Sequence, residues 1–144
     1  MHRRSSPIAV IALVFSLVGG ARAADLVVHV DGLPAAEGEV TCGLFVDAAG
    51  FPDDDTRART ETLPANPGGT KCRFAGVAAG RVAIAVSHDR NGNGRLDKNF
   101  LGIPREPWGV SNGVRPSLRP PRFAEAAFEM PAEGVLELRV AVAQ

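Results

Sequence analysis

The chain has 144 residues, in which 16 Lys+Arg balance 16 Asp+Glu and 45% of positions are hydrophobic. That is the length of one domain with enough apolar surface for a real core. A neutral chain without a Lys/Arg run offers no basic field for a polyphosphate backbone, so no nucleic-acid partner is expected.

The amino end carries Arg3 and Arg4, an apolar run over residues 8–18, then Gly19-Gly20 and Ala21-Arg22-Ala23. This basic, apolar, small-residue order predicts a signal peptide over residues 1–23, cleaved after Ala23. The apolar run is too short to cross a bilayer, which takes about 20 residues. No later stretch is long and apolar enough either, so no membrane span is expected. The reading is a periplasmic or secreted protein with a single domain over residues 24–144. Loss of Arg3, Arg4 and Arg22 leaves 13 Lys+Arg against 16 Asp+Glu, a net charge of −3.

In chain order, Leu26, Val28 and Val30 alternate with Val27 and His29 up to Asp31-Gly32. Val40, Cys42, Leu44 and Val46 share one face of the next strand, and Cys72 and Phe74 share a face of another. Val82, Ile84, Val86 and His88 alternate with small residues, and Leu136, Leu138, Val140 and Val142 close the chain. A period of two marks strands with one face in a core. Residues 57–63 and 123–130 are weaker strand candidates, with Phe123 and Phe128 turned inward. The fold class is therefore all-β: an antiparallel β-sandwich, immunoglobulin-like or prealbumin-like, of about seven strands. One long loop interrupts it, residues 99–122, with five prolines and three glycines and no periodicity. A loop of that length in a compact domain is normally functional or disordered.

Cys42 and Cys72 are the two cysteines. An even pair on apolar strand faces in an exported chain reads as a disulfide. Closing a loop of about 30 residues stabilises by about 3–4 kcal/mol in the chain-entropy account.

The run Asp89-Arg90-Asn91-Gly92-Asn93-Gly94-Arg95-Leu96-Asp97 carries the clearest chemistry. Counted from Asp89, oxygen-bearing side chains fall at positions one, three, five and nine, with Gly94 at six for a sharp turn. This is the first part of an EF-hand-type calcium loop, since calcium takes about 6–8 hard oxygen ligands. Asp89, Asn91, Asn93 and Asp97 are the candidate ligands, with the Arg95 carbonyl as a fifth. Phe100 stands at position twelve in place of an acid, and a strand rather than a helix leads in. Glu106 is the candidate for a missing oxygen, and calcium, weakly held, is the expected cofactor. The alternative is an Asx-rich turn, because Asn and Gly tolerate positive φ.

Trp108, the single tryptophan, sits in the Pro/Gly-rich loop. It reads either as a platform for carbohydrate or peptide, beside Glu106, or as a plug over the sandwich. A hydrolase using His88 and Asp89 has less support, because His88 falls in line with the apolar positions of its strand and no nucleophile motif is present. Asp53-Asp54-Asp55 reads as a solvated loop, at most a weak second ion site.

Residues 80–112 resemble the Domain of Unknown Function 2141 family of exported bacterial proteins. The shared pattern is His-Asp-x-Asn-x-Asn-Gly-x-Leu-Asp, here His88 onward to Asp97, followed by Gly-Ile-Pro-x-Glu-x-Trp-Gly-x-Ser-Asn, here Gly102 onward to Asn112. Residues 120–128 also look like that family's closing strand entry. The resemblance implies a β-sandwich in the cell envelope and brings no activity with it. The expectation is a non-enzymatic, calcium-stabilised binding or structural module. Its ligand in the envelope or outside the cell, and its oligomeric state, are not readable from the residues.

Overall fold

The computed structural model describes residues 22–144. The predicted signal peptide thus lies outside the described residues, except for Arg22 and Ala23. Eight strands and one α-helical turn follow, with short 3-10 turns at Asp55–Arg57 and Ser111–Gly113: β1 (Ala23–Asp31), β2 (Glu39–Phe45), β3 (Arg59–Pro64), β4 (Thr70–Ala78), β5 (Gly80–Asp89), β6 (Trp108–Val110), α1 (Phe123–Ala126), β7 (Phe128–Met130) and β8 (Val135–Ala141).

Two sheets face each other. One has the order β4-β1-β8, the other β3-β2-β5-β6, with β7 also on β5. Alternation decides which side chains meet between them. Leu26, Val28 and Val30 of β1, Val40, Cys42 and Leu44 of β2, and Val82, Ile84 and Val86 of β5 form the main core. Cys42 and Cys72 join the two sheets from β2 to β4, with 6.4 Å between their Cα atoms. The expected disulfide is present, and it runs across the sandwich. Among the described residues no helix is long and apolar enough to cross a membrane.

The structure differs from the sequence reading at four places. The sandwich is not wholly antiparallel: β8 returns beside β1 in parallel, from Asp25↔Val135 to Asp31↔Ala141. Val46 is not on a buried face, because β2 ends at Phe45 and Val46 is 67% exposed. Residues 123–126 form a helical turn instead of a strand, and only Phe128–Met130 pairs with β5. Within the long loop, Trp108–Val110 pairs with residues 85–87 of β5.

β4 carries an extra residue opposite β1. Its register changes from Ala24↔Val77 to Leu26↔Phe74, a β-bulge that returns Val77 to the core side. Gly76 makes the bulge, and its N–H is held by the Asp25 carboxylate at 2.9 Å. A second, smaller apolar cluster lies on the outer face of β5, where Ala83, Val110 and Ala126 are buried with Phe51, Trp108 and Phe123 packed against them. This outer cluster holds the second half of the long excursion between β5 and β7, from Trp108 to Ala126, against β5.

Candidate functional site

The Asp/Asn loop begins where β5 ends. Asp89 is the last residue of β5, paired with Glu39 of β2, and is buried. Its two carboxylate oxygens turn into the loop. Oδ1 accepts from the Asn93 N–H at 3.2 Å, and Oδ2 from the Gly94 N–H at 2.6 Å. Gly94 adopts φ +78°, the left-handed conformation predicted for the sharp turn. Asn91 Oδ1 accepts from Asn93 N at 3.3 Å, and Asn93 Oδ1 from Arg95 N at 3.1 Å. Each side chain thus holds the backbone two residues on, the Asx-turn geometry.

Asp97 closes the circuit. Its Oδ2 accepts from the Asn91 amide at 2.6 Å and its Oδ1 from the Asn93 amide at 2.7 Å. Hydrogen bonds from Asn93 and then Asn91 hold the Asp97 carboxyl below the ordinary carboxylate range. All four predicted side chains therefore belong to one hydrogen-bonded network. Among the described residues no three His, Cys, Asp or Glu side chains cluster as a metal site. The oxygen donors brought together are two carboxylates and two carboxamides.

Glu106 sits beneath the loop, 5% exposed. Oε1 accepts from the Arg90 N–H at 3.0 Å and Oε2 from the Asp97 N–H at 3.1 Å. One buried carboxylate thereby clasps both ends of the loop. The side chains of Asn91, Asp97, Arg90, Lys98, Arg105, Glu37 and Glu106 line an open cleft of about 550 Å³ at the same end of the sandwich.

His88 does not face the cleft. It is fully buried in line with Val86 and Ile84, and its Nε2–H donates to the Glu37 carbonyl at 2.6 Å. Its Nδ1 is buried without a hydrogen-bond partner. The ring has no open surface. Asp53 pairs with Lys98 across the fold and Asp54 accepts from Thr56, so two of the three acids are engaged. Burial raises the Asp55 carboxyl, with Asp53 and Asp54 adding to the effect.

Trp108 is half-buried in the outer cluster. The Arg115 guanidinium lies 4.0 Å over its ring, and Arg115 also donates to the Trp108 and Ala143 carbonyls. One face of the ring is covered by a cation. The residues after it were marked in the sequence only as part of the pattern that ends at Asn112, without a role of their own. Gly109 passes so close to β8 that a Cβ would meet the Ala141 oxygen at 2.1 Å.

Ser111 fills the gap on β5 between the stretches paired with β6 and β7. Its hydroxyl accepts from Ile84 N at 3.0 Å and donates to the Ala126 carbonyl at 2.6 Å. Asn112, at φ +63°, donates from its amide to the Glu125 and Ala127 carbonyls. The only signal for these two was their place in the Gly-x-Ser-Asn pattern, which gave no role.

Comparison with known proteins gives one match. The model of a family described as "Uncharacterized protein conserved in bacteria (DUF2141)" matches residues 28–137. No curated protein and no solved structure matches the chain.

Proposed function

Because this chain belongs to the DUF2141 family, whose description names no activity, we propose its function from its own geometry. It is an exported, calcium-stabilised β-sandwich acting as a non-enzymatic binding or structural module of the cell envelope. One observation carries the reading: Asp89, Asn91, Asn93 and Asp97 are drawn into a single network at the end of β5. Two carboxylates and two carboxamides are the hard-oxygen set that calcium takes, and neither thiolate nor imidazole competes in the loop. An Asn amide presents either N–H or C=O after rotation about its last side-chain bond. The same Asn91 and Asn93 groups that donate to Asp97 can therefore supply carbonyl oxygens to a cation. Glu106 keeps the two ends of the loop at a fixed separation, which lowers the ordering cost of binding.

With only two carboxylates in the set, the affinity falls in the weak range, about 10⁻⁴–10⁻³ M. At a Kd of about 10⁻⁴ M, roughly 2 mM calcium stabilises the fold by about 1.8 kcal/mol. Thermal melts with and without calcium test this, and Asp97→Ala is the variant of choice. Asp89 also holds two backbone N–H groups from a buried position, so its removal would weaken the loop itself. Wild type should gain several degrees and Asp97→Ala should gain none. No shift up to about 10 mM calcium would reduce the loop to an Asx-rich turn.

Export is supported by the Cys42–Cys72 bridge, since such bonds persist in oxidising compartments. Mass spectrometry of the protein from the cell envelope should find an amino terminus at Ala24. Recovery of an intact Met1 there would count against export.

A further inference from the structure

Beyond the Asp/Asn loop the chain makes a small hairpin closed by the bridge Lys98↔Pro104. Its tip holds Phe100, Leu101 and Ile103, which are 94%, 68% and 56% exposed. Three large apolar side chains side by side in water carry a cost that an isolated exposed leucine does not. They sit at the tip of the hairpin. A specific protein interface needs about 800 Å² from each partner, and a four-residue tip falls well short of it.

Part of the tip's backbone is already paired within the hairpin. Asn99 Oδ1 accepts from the Leu101 and Ile103 N–H groups at 2.9 and 3.0 Å. The Asn99 carbonyl accepts from Gly102 N, and the Ile103 carbonyl accepts from Asn99 N, both at 2.9 Å. These bonds lower the cost of taking the tip out of water, while the Phe100, Leu101 and Gly102 carbonyls keep no partner within the hairpin and limit insertion to the wet headgroup boundary. Cations flank the tip: Arg95 and Lys98 precede it, Arg105 follows it, and Arg90 shares the adjoining cleft. Of these, Lys98 pairs with Asp53 and Arg95 approaches Asp97 at 4.0 Å. Arg90 and Arg105 make no ion pair among the described residues. Of the acids that share the cleft, Glu106 is engaged by two backbone N–H groups and Asp97 by two amides, and Glu37 is the one left to offset the two arginines.

We infer that the 98–104 hairpin is an interfacial anchor, inserting Phe100, Leu101 and Ile103 into an anionic lipid surface while Arg90 and Arg105 contact the headgroups. Apolar side chains at the acyl boundary with cations at headgroup level are the two forces that hold peripheral proteins on membranes. The inference names a partner for the envelope module proposed above, yet it does not need the ion.

Vesicle sedimentation tests it, using phosphatidylcholine vesicles with and without roughly 30% phosphatidylglycerol, in calcium and in EDTA. Wild type should sediment with the anionic vesicles in both buffers. The Phe100→Ser/Leu101→Ser variant should bind at least about tenfold more weakly, because two large side chains no longer leave water. Arg105→Glu should also weaken binding, and roughly 0.5 M salt should weaken wild type. The serine variant should melt like wild type, since its side chains are exposed, so weaker binding would not reflect unfolding. Equal binding by the serine variant, or no binding by wild type, overturns the anchor. Binding confined to calcium also overturns it, by assigning the attraction to ion bridging; the calcium-dependent melting shift reports separately on the ion site. A dimer in lipid-free sedimentation that is lost in the serine variant would make a second copy of this chain the partner, and would overturn it too.

Discussion

Between β5 and α1 the chain uses its polar side chains in two opposite ways. In residues 89–97 they hold one another and the loop's own backbone, and most of them stand in or near water. In residues 108–113 they hold backbone from other parts of the fold: Ser111 serves Ile84 and Ala126, and Asn112 serves Glu125 and Ala127. The first arrangement is self-contained, so it can be rearranged by a ligand without disturbing the sandwich. The second stitches β5 to α1 and β7, and any change in it reaches the core. Both stretches belong to the same sequence pattern, but only the first has the freedom that a binding site needs.

Glycine substitutions give the largest test of that contrast. Gly109→Ala places a methyl 2.1 Å from a backbone oxygen of β8, which neither strand can relieve without moving. It should cost about 3 kcal/mol or more in chemical denaturation. At Gly94 nothing lies within 4 Å of an added Cβ, and only its φ of +78° opposes the change. Gly94→Ala should cost about 1–2 kcal/mol. Equal losses would mean that the loop is as tightly built into the fold as the stitch.

A hydroxyl and an amide make the next comparison. Ser111→Ala leaves the buried Ile84 N–H without its partner, a loss of about 1–3 kcal/mol. Asn91→Ala removes an exposed amide whose partners keep access to water, and the loss should stay below about 1 kcal/mol. A larger loss at Asn91 than at Ser111 would reverse the assignment of the two stretches.

The sequence exposed these two stretches unequally, and the reason is physical. β1, β2, β5 and β8 each turn alternate apolar residues to the main core, so their alternation is a local property readable from the residues, although β5 also buries Ala83 on its outer face. The Asp89, Asn91, Asn93, Asp97 spacing is equally local, because each side chain acts on residues nearby in the chain. The parallel pairing of β8 with β1 is set by where the chain returns, which no local pattern encodes. β6 and α1 span three and four residues, too short to show a period. Ser111 was silent because its partners Ile84 and Ala126 are 27 and 15 residues away. Glu106 was legible as an oxygen donor near the loop, but its work as a backbone clasp depends on burial that composition does not show.

Acid titration gives the smallest and most discriminating effect, because the loop contains, and the stitch bonds to, one surface carboxylate held by hydrogen bonds. In the stitch it is Glu125, which accepts from both Arg119 terminal nitrogens and from Arg122 N, the first donor of α1. Arg119 first, and then the Arg122 N–H, lower its pKa to about 2. In the loop it is Asp97, lowered by the neutral amides of Asn93 and Asn91. A carboxylate depressed in the folded state binds fewer protons there than in the unfolded chain. Its contribution is therefore complete above its ordinary pKa and is lost as pH falls towards the depressed value. For Glu125 that window runs from 4.5 down to about 2. The melting temperature of wild type should fall through this range. Glu125→Gln, which does not titrate, should flatten one part of the fall, and Asp97→Asn a separate part, since the two share no partner. Roughly 0.5 M salt should shrink the Glu125 part more, because Arg119 attracts by charge while the Asn amides do not. A Glu125→Gln slope identical to wild type would show that this ion pair contributes nothing measurable, the common fate of exposed pairs.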